Sequence, residues 1–236
     1  MPLNATILTL FPDMFPGALG EGVTGRALKQ GVWSLDTVYI RDFAKDNYGS
    51  VDDTPFGGGA GMVMKPDVVA DAIGSVPNRG RLLFMSPRGR VLDQAMAHDL
   101  ASEEQITIIC GRYEGLDQRV IDAYDIEEVS IGDYVLSGGE MAAMVVLDSA
   151  VRLIPGVVNN DETTGDESHE NGLLEYPHYT RPAEWEDQNG VKRSVPDVLT
   201  SGHHKNIDAW RKNESLELTK KRRPDLWQAY NRKENQ

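Results

Sequence analysis

The chain has 236 residues, enough for one large domain or a domain with a small annex, and its 40% apolar and 26% charged content excludes an extensively disordered chain. A net charge of -13, taken whole, argues against a nucleic-acid partner. The single cysteine, Cys110, excludes an intrachain disulfide, no run approaches the roughly 18 apolar residues of a membrane helix, and the start lacks a basic stretch followed by an apolar run and a cleavage site, so the expectation is a cytosolic protein.

In chain order, apolar alternation predicts strands over residues 4–10 and 37–40, with a helix over 15–29 between them. A glycine-rich segment, Asp52-Asp53-Thr54-Pro55-Phe56-Gly57-Gly58-Gly59-Ala60-Gly61-Met62, follows; it reads as a surface loop, or as a lid or backbone surface for a second chain. Next come a helix over 66–74, with Pro66 in its first turn where a missing N–H is harmless, a strand over 82–85, a helix over 91–100 and a strand over 106–110. A helix over 116–124, a strand over 127–131 and a helix over 139–153 complete this part. Strands alternating with helices through connections of this length predict an α/β fold with a mostly parallel sheet covered on both faces, which binds ligands at the carboxyl ends of its strands.

Residues 159–171, NNDETTGDESHEN, contain no aliphatic or aromatic side chain, which marks an acidic linker. The expected division is therefore a first domain over 1–158, a linker over 159–172 and a tail domain over 173–236. The tail predicts helices over 206–211 and 215–222 and a third opened by Pro224, with Trp210 and Trp227 as its small core and no strand alternation. Charge divides further along the chain. Residues 191–236 hold 11 basic against 6 acidic side chains, or +5, and residues 1–190 hold the remaining −18. The tail is a cationic module on an acidic body.

Three glycine-bearing loops follow three successive predicted strands: Met85-Ser86-Pro87-Arg88-Gly89, Cys110-Gly111-Arg112-Tyr113-Glu114-Gly115 and the run from Ser130 to Glu140. One such loop is usually an ordinary turn, but three at one sheet edge favour a binding site. No G-x-x-x-x-G-K-[ST] or G-x-G-x-x-G fingerprint occurs, so a polyphosphate cradle is not expected. The aromatic and aliphatic side chains Tyr113, Ile131, Tyr134 and Leu136 suit a flat base with a small zwitterion. The histidines lack metal-ligand spacing, and Cys110 ends a buried strand, where it reads as a small core residue.

These segments, together with Leu10-Phe11-Pro12, Pro55-Phe56-Gly57-Gly58-Gly59, Arg152-Leu153-Ile154-Pro155-Gly156 and the run from Gly172 to Pro182, resemble the TrmD family of bacterial tRNA (guanine-N1-)-methyltransferases along essentially the whole chain. That family belongs to the SPOUT class. The resemblance implies a deep trefoil knot, which pattern reading alone would not draw, a small all-helical C-terminal domain that holds tRNA, and a homodimer with its active site at the subunit interface. It implies S-adenosyl-L-methionine as cofactor and methyl donor, with Mg2+ as an assisting ion for which no ligand set is visible. The substrate implied is the guanosine at tRNA position 37, 3′ of the anticodon, when another guanosine precedes it.

By the same resemblance the cofactor-binding residues are Ser86, Pro87, Gly111, Tyr113, Glu114, Ile131, Gly132, Asp133, Tyr134, Val135, Leu136, Gly138 and Gly139. Arg152 fits the cation that stabilises charge near O6 of guanine. The family's general base, an aspartate five residues before the glycine of Gly172-Leu173-Leu174, falls here on Glu167, with Asp166 immediately before it as the alternative. Arg88 is a second departure, standing where glutamine is common. Two rival readings are a SPOUT enzyme for another RNA site and a non-catalytic RNA-binding factor on the same scaffold.

Overall fold

The computed structural model describes residues 3–158, 168–169 and 171–234. The chain divides into two compact units, Met1–Asn159 and Asn160–Gln236. In the first unit the strands are β1 (Leu3–Thr9), β2 (Trp33–Tyr39), β3 (Asp52–Asp53), β4 (Val63–Met64), β5 (Arg81–Val91), β6 (Gln105–Ile109) and β7 (Glu127–Ser130). Its α-helices are α1 (Gly22–Lys29), α2 (Pro66–Gly74), α3 (Gln94–Ala101), α4 (Gln118–Tyr124) and α5 (Glu140–Val151).

Five strands form one sheet in the order β2-β1-β6-β5-β7, and every neighbouring pair is parallel. Parallel pairing requires crossovers, and these carry helices to both faces. On one face Leu3, Ala5 and Ile7 of β1 pack with Met96 and Leu100 of α3 and with Ala143, Val146 and Leu147 of α5. On the other, Leu8 and Ile109 pack with Val68, Val69 and Ile73 of α2 and with Val120 of α4. Each fully buried side chain of this size contributes roughly 1.5 to 3 kcal/mol of hydrophobic stabilisation. The expected α/β architecture is therefore present, with β2 beginning earlier and β5 running further than apolar alternation indicated.

Local signals account for the differences. The expected helix over 15–29 is instead two short 3-10 turns, Pro12–Met14 and Gly17–Gly20, followed by α1. Gly17 and Gly22 adopt φ of 53° and 62°, a left-handed conformation that no α-helix passes through. The helix expected from 91 starts at Gln94, because the Asp93 side chain caps it by accepting the Met96 N–H at 2.8 Å.

The SPOUT character lies in how three loops engage one another. Met85 and Arg90 both pair with Val129, so β5 leaves the ladder for residues 86–89 and rejoins it at the same partner. The stretch after β7 then comes back against the loop after β6, where the Gly139 N–H donates to the Gly111 carbonyl at 3.0 Å. A Cβ on Gly139 would lie 2.8 Å from Cys110 Cα, 3.0 Å from Gly111 N and 3.1 Å from Met85 Cβ. Only a glycine lets these three segments close on one another.

The second unit carries α6 (Asp197–Thr200), α7 (His204–Arg222) and α8 (Pro224–Glu234). The two helices expected over 206–211 and 215–222 are one continuous helix. The unit is not entirely helical: β8 (Glu184–Glu186) and β9 (Lys192–Ser194) form an antiparallel hairpin. Its strands are three residues long and exposed on both sides, so they carry no alternation to be read, and the Asn189-Gly190 turn was the only local cue. Trp210 and Trp227 are half-buried rather than central. The fully buried positions described in this unit are Leu173, Ser215 and Thr219. Thr219 Oγ1 donates to the Ser215 carbonyl at 2.7 Å and accepts the Leu174 N–H at 2.8 Å.

Candidate functional site

The carboxyl ends of β5, β6 and β7 meet where the three glycine loops emerge, and a cavity of about 360 Å³ lies among them. Of the thirteen expected cofactor-binding residues, twelve line it: Ser86, Pro87, Gly111, Tyr113, Glu114, Ile131, Gly132, Tyr134, Val135, Leu136, Gly138 and Gly139. Asp133 is exposed and is not among the lining residues. Phe84, Met85, Val129 and Ala142 add an apolar floor that the loop pattern did not single out.

Each loop is shaped by its own short-range bonds. Ser86 Oγ accepts the Arg88 N–H at 3.3 Å, which turns the first loop. The Arg88 guanidinium pairs with Glu128 at 3.0 Å and keeps an exposed side chain. In the third loop Ser130 Oγ accepts the Gly132 N–H at 3.2 Å, and the Tyr134 hydroxyl donates to the Ile131 carbonyl at 3.2 Å. In the second loop Tyr113 adopts φ of 58°, an uncommon conformation for a bulky side chain and typical of residues held for function. Burial, and then the neighbouring Asp52 carboxylate, raise the Tyr113 phenol above its ordinary value, so it stays a neutral donor.

The glycine-rich segment 54–62 is the tip of the β3-β4 ladder and packs over the second loop. The Glu114 N–H donates to the Met62 carbonyl at 2.9 Å. At Gly61, φ is 96° and a Cβ would sit 2.3 Å from Glu114 Oε1, so a glycine there leaves room for the carboxylate.

Arg112 and Glu140 are functional residues that sequence reasoning passed over. Glu140 opens α5 with an exposure of 1%. Arg112 Nη2 lies 2.8 Å from Glu140 Oε2, and Thr9 Oγ1 donates to Oε1 at 2.8 Å. The same guanidinium donates to the Ser137 carbonyl at 3.1 Å and rests 4.3 Å from the Phe11 ring centre. One cation thus ties the second loop to the third and to the N-terminal turn. The readable signal was a glutamate directly after two glycines at a buried helix start, which demands a partner of opposite charge.

A model of the tRNA (Guanine-1)-methyltransferase TrmD family matches residues 3–229. The chain belongs to that family. It is 59% identical to the tRNA (guanine-N(1)-)-methyltransferase of Rhodospirillum rubrum over 231 residues, 98% of this chain and 95% of that one. It is 58% identical to the enzyme of the same name from Bartonella henselae over 232 residues, 98% of each. The Brucella ovis enzyme is 56% identical over 227 residues, covering 96% of this chain and 92% of that one. Membership in the TrmD family makes the chain a tRNA-modifying methyltransferase with the SPOUT fold, and the family's methyl donor is S-adenosylmethionine.

The residues expected to act in catalysis are placed differently. Arg152 stands at the C-cap of α5, whose other end abuts the cavity. Ala142 is the last residue of α5 to line the cavity, and ten residues at about 1.5 Å each put Arg152 roughly 15 Å further along the helix. Within one chain Arg152 does not line the cavity. Glu167 and Asp166 lie outside the described residues. Among the described residues no group of three or more His, Cys, Asp or Glu side chains could hold a metal, so these residues offer Mg2+ no ready cage. Burial, reinforced by the Glu140 carboxylate, pushes the Cys110 thiol well above its ordinary value, which removes it as a nucleophile.

Proposed function

We propose that the enzyme methylates N1 of the guanosine at tRNA position 37, 3′ of the anticodon, using S-adenosylmethionine held in the cavity between residues 86–89, 111–115 and 131–139. When bound, S-adenosylmethionine supplies an electrophilic methyl group. The cavity suits it chemically, since it offers an apolar floor, backbone amides freed by glycine, and Glu114 as negative potential for a sulfonium. The chain's own work is positioning and proton handling. Glu167 removes the N1 proton, with Asp166 as the alternative base, and Arg152 stabilises the charge that builds toward O6.

The observation that carries this reading is the separation of Arg152 from the cavity along a rigid helix. A cation that must reach the reacting guanine, yet stands about 15 Å along the helix from its own chain's cavity, serves the site of a second copy. A complete site then needs a homodimer, in which one protomer brings the cavity and its partner brings Arg152 and the base. An apolar stripe is available for such pairing: Met141 and Val145, four residues apart on α5, are 56% and 46% exposed.

The second unit, whose last 46 residues hold 11 basic against 6 acidic side chains, holds the tRNA, and the first binds the methyl donor. The reaction runs in the cytoplasm, where tRNA is; no described helix is long and apolar enough to cross a membrane. The deciding experiment supplies S-adenosylmethionine labelled in its methyl group and tRNA transcripts in which guanosine 37 is present or replaced. Incorporation only into the first is expected. Equal labelling of both would overturn the assignment and favour another RNA site, and no labelling would favour a non-catalytic RNA-binding factor.

A further inference from the structure

The second unit contains its own cavity of about 370 Å³, between residues 171–176 and one side of α7. Two adjacent cations line it, Arg211 and Lys212. The Arg211 guanidinium lies 4.9 Å from the centre of the Tyr176 ring, a contact that fixes the plane of the fork. Its Nε is buried and has no acceptor among the described residues. Asp208 also lines the cavity, 4.0 Å from Nη1, with its side chain 70% exposed, and the Arg211 side chain is 43% exposed. Lys212 Nζ donates to the Tyr230 hydroxyl at 3.1 Å, which holds a second positive charge on the same rim. Ser215 adds a hydroxyl to the lining.

A planar donor fork, a second cation and a hydroxyl are the groups that recognise a tetrahedral oxyanion. We propose that this cavity is a phosphate-binding site that grips the RNA backbone, with Arg211 as its fork and Lys212 as its second cation. The inference rests on the reading that the second unit holds tRNA, and names where it does so. It also links RNA binding to catalysis. The cavity wall includes Leu174, whose N–H is pinned to Thr219 of α7. A phosphate on Arg211 therefore braces the segment that directly follows Glu167.

The test compares the full-length enzyme with Arg211→Gln, Arg211→Lys and Lys212→Gln by measuring tRNA affinity across a salt series. Each phosphate contact contributes about 0.7 to 0.9 to the slope of log affinity against log salt. Arg211→Gln is expected to lose that increment and to weaken tRNA binding roughly tenfold at fixed salt, the loss typical of a charge-assisted hydrogen bond, while S-adenosylmethionine affinity measured without tRNA is unchanged. Arg211→Lys is expected to keep the slope with weaker binding, and Lys212→Gln to lose slope without a change in thermal melting. Inorganic phosphate, compared with chloride at equal ionic strength, should compete with tRNA in the wild type and not in Arg211→Gln. An unchanged slope in both glutamine variants overturns the proposal, and if phosphate then still binds at Arg211 the site takes the free anion rather than RNA. Wild-type tRNA binding that ignores salt would instead sink the reading of the second unit itself.

Discussion

The Glu140 carboxylate is almost wholly out of water, and an isolated charge there would be intolerable. It survives because Arg112 and Thr9 face it, and Arg112 uses its remaining donors to hold the Ser137 carbonyl. The shape of the cavity thus rests on one buried ion pair. Cys110, beside it, is governed by the same dry environment. Its native thiol ionises well above the 9.0 of an ordinary thiol. The neutral thiol therefore contributes stability that is fully present below pH 9 and lost as pH rises toward the native value. At pH 8 a thiol-specific disulfide reagent is expected to label Cys110 only as fast as the protein unfolds; rapid stoichiometric labelling of the native enzyme would contradict this. At the reacting centre, Glu167→Ala is expected to lower the methylation rate by roughly 10² to 10⁴ with S-adenosylmethionine affinity nearly kept, as for a lost general base. Should Asp166→Ala be the inactive variant and Glu167→Ala behave normally, the proton is handled by Asp166. The twelve lining residues were named through the family resemblance, whereas the three glycine loops at successive strand ends were legible, because glycine marks where backbone must approach closely. Arg112 and Glu140 were not, since each reads as a surface charge until the packing shows them facing each other.

At the level of elements, strand and helix order was legible because the sheet is buried on both faces and its strands stand out as apolar runs. Boundaries failed where polar caps and glycine decided them, as at Asp93 and Gly22. The hairpin β8-β9 failed for another reason: it has no buried side, and its stability is local. Asp187 holds it together. The Asp187 carboxylate accepts the Asn189 and Val191 N–H groups at 2.9 and 3.1 Å and pairs with Arg193 at 2.9 Å. These bonds, the Val191 N–H foremost, hold its acidity below the ordinary 3.8. A depressed carboxylate stabilises the native form above its unfolded value and ceases to do so as pH falls through the native one. The hairpin is therefore expected to loosen below about pH 3.8, reported by fluorescence of Trp185, which is 55% exposed on β8. In Asp187→Asn the Trp185 signal should already be changed at neutral pH and lack that acid step; an identical acid step in both proteins would show that other groups control it.

For the whole molecule, the net charge of -13 misleads because it averages a cationic stretch, residues 191–236 at +5, with the acidic remainder of the chain. Neither the knot-like engagement of the loops nor the proposed sharing of a site between two copies can be read from composition, since both depend on where distant segments meet. Subunit sharing has a direct test. Gly139→Ala overpacks the loops at a cost of about 1 to 3 kcal/mol and should disable the cavity, while Arg152→Ala should disable the cation. Mixed dimers of these two inactive chains are expected to regain part of the activity, because one of their two sites draws the intact cavity from one chain and the intact arginine from the other. If no activity returns although mixed dimers form, Arg152 serves its own chain's cavity. The mutual contacts of the three loops also bear on how the protein is made. The bond from Gly139 to Gly111 and that from Arg112 to Ser137 join segments that are far apart along the chain, and such closures are slow relative to helix formation. After dilution from denaturant, helical signal should therefore return well before the capacity to bind the methyl donor. A newly synthesised chain would pass through an interval in which it is largely structured yet still blind to its cofactor.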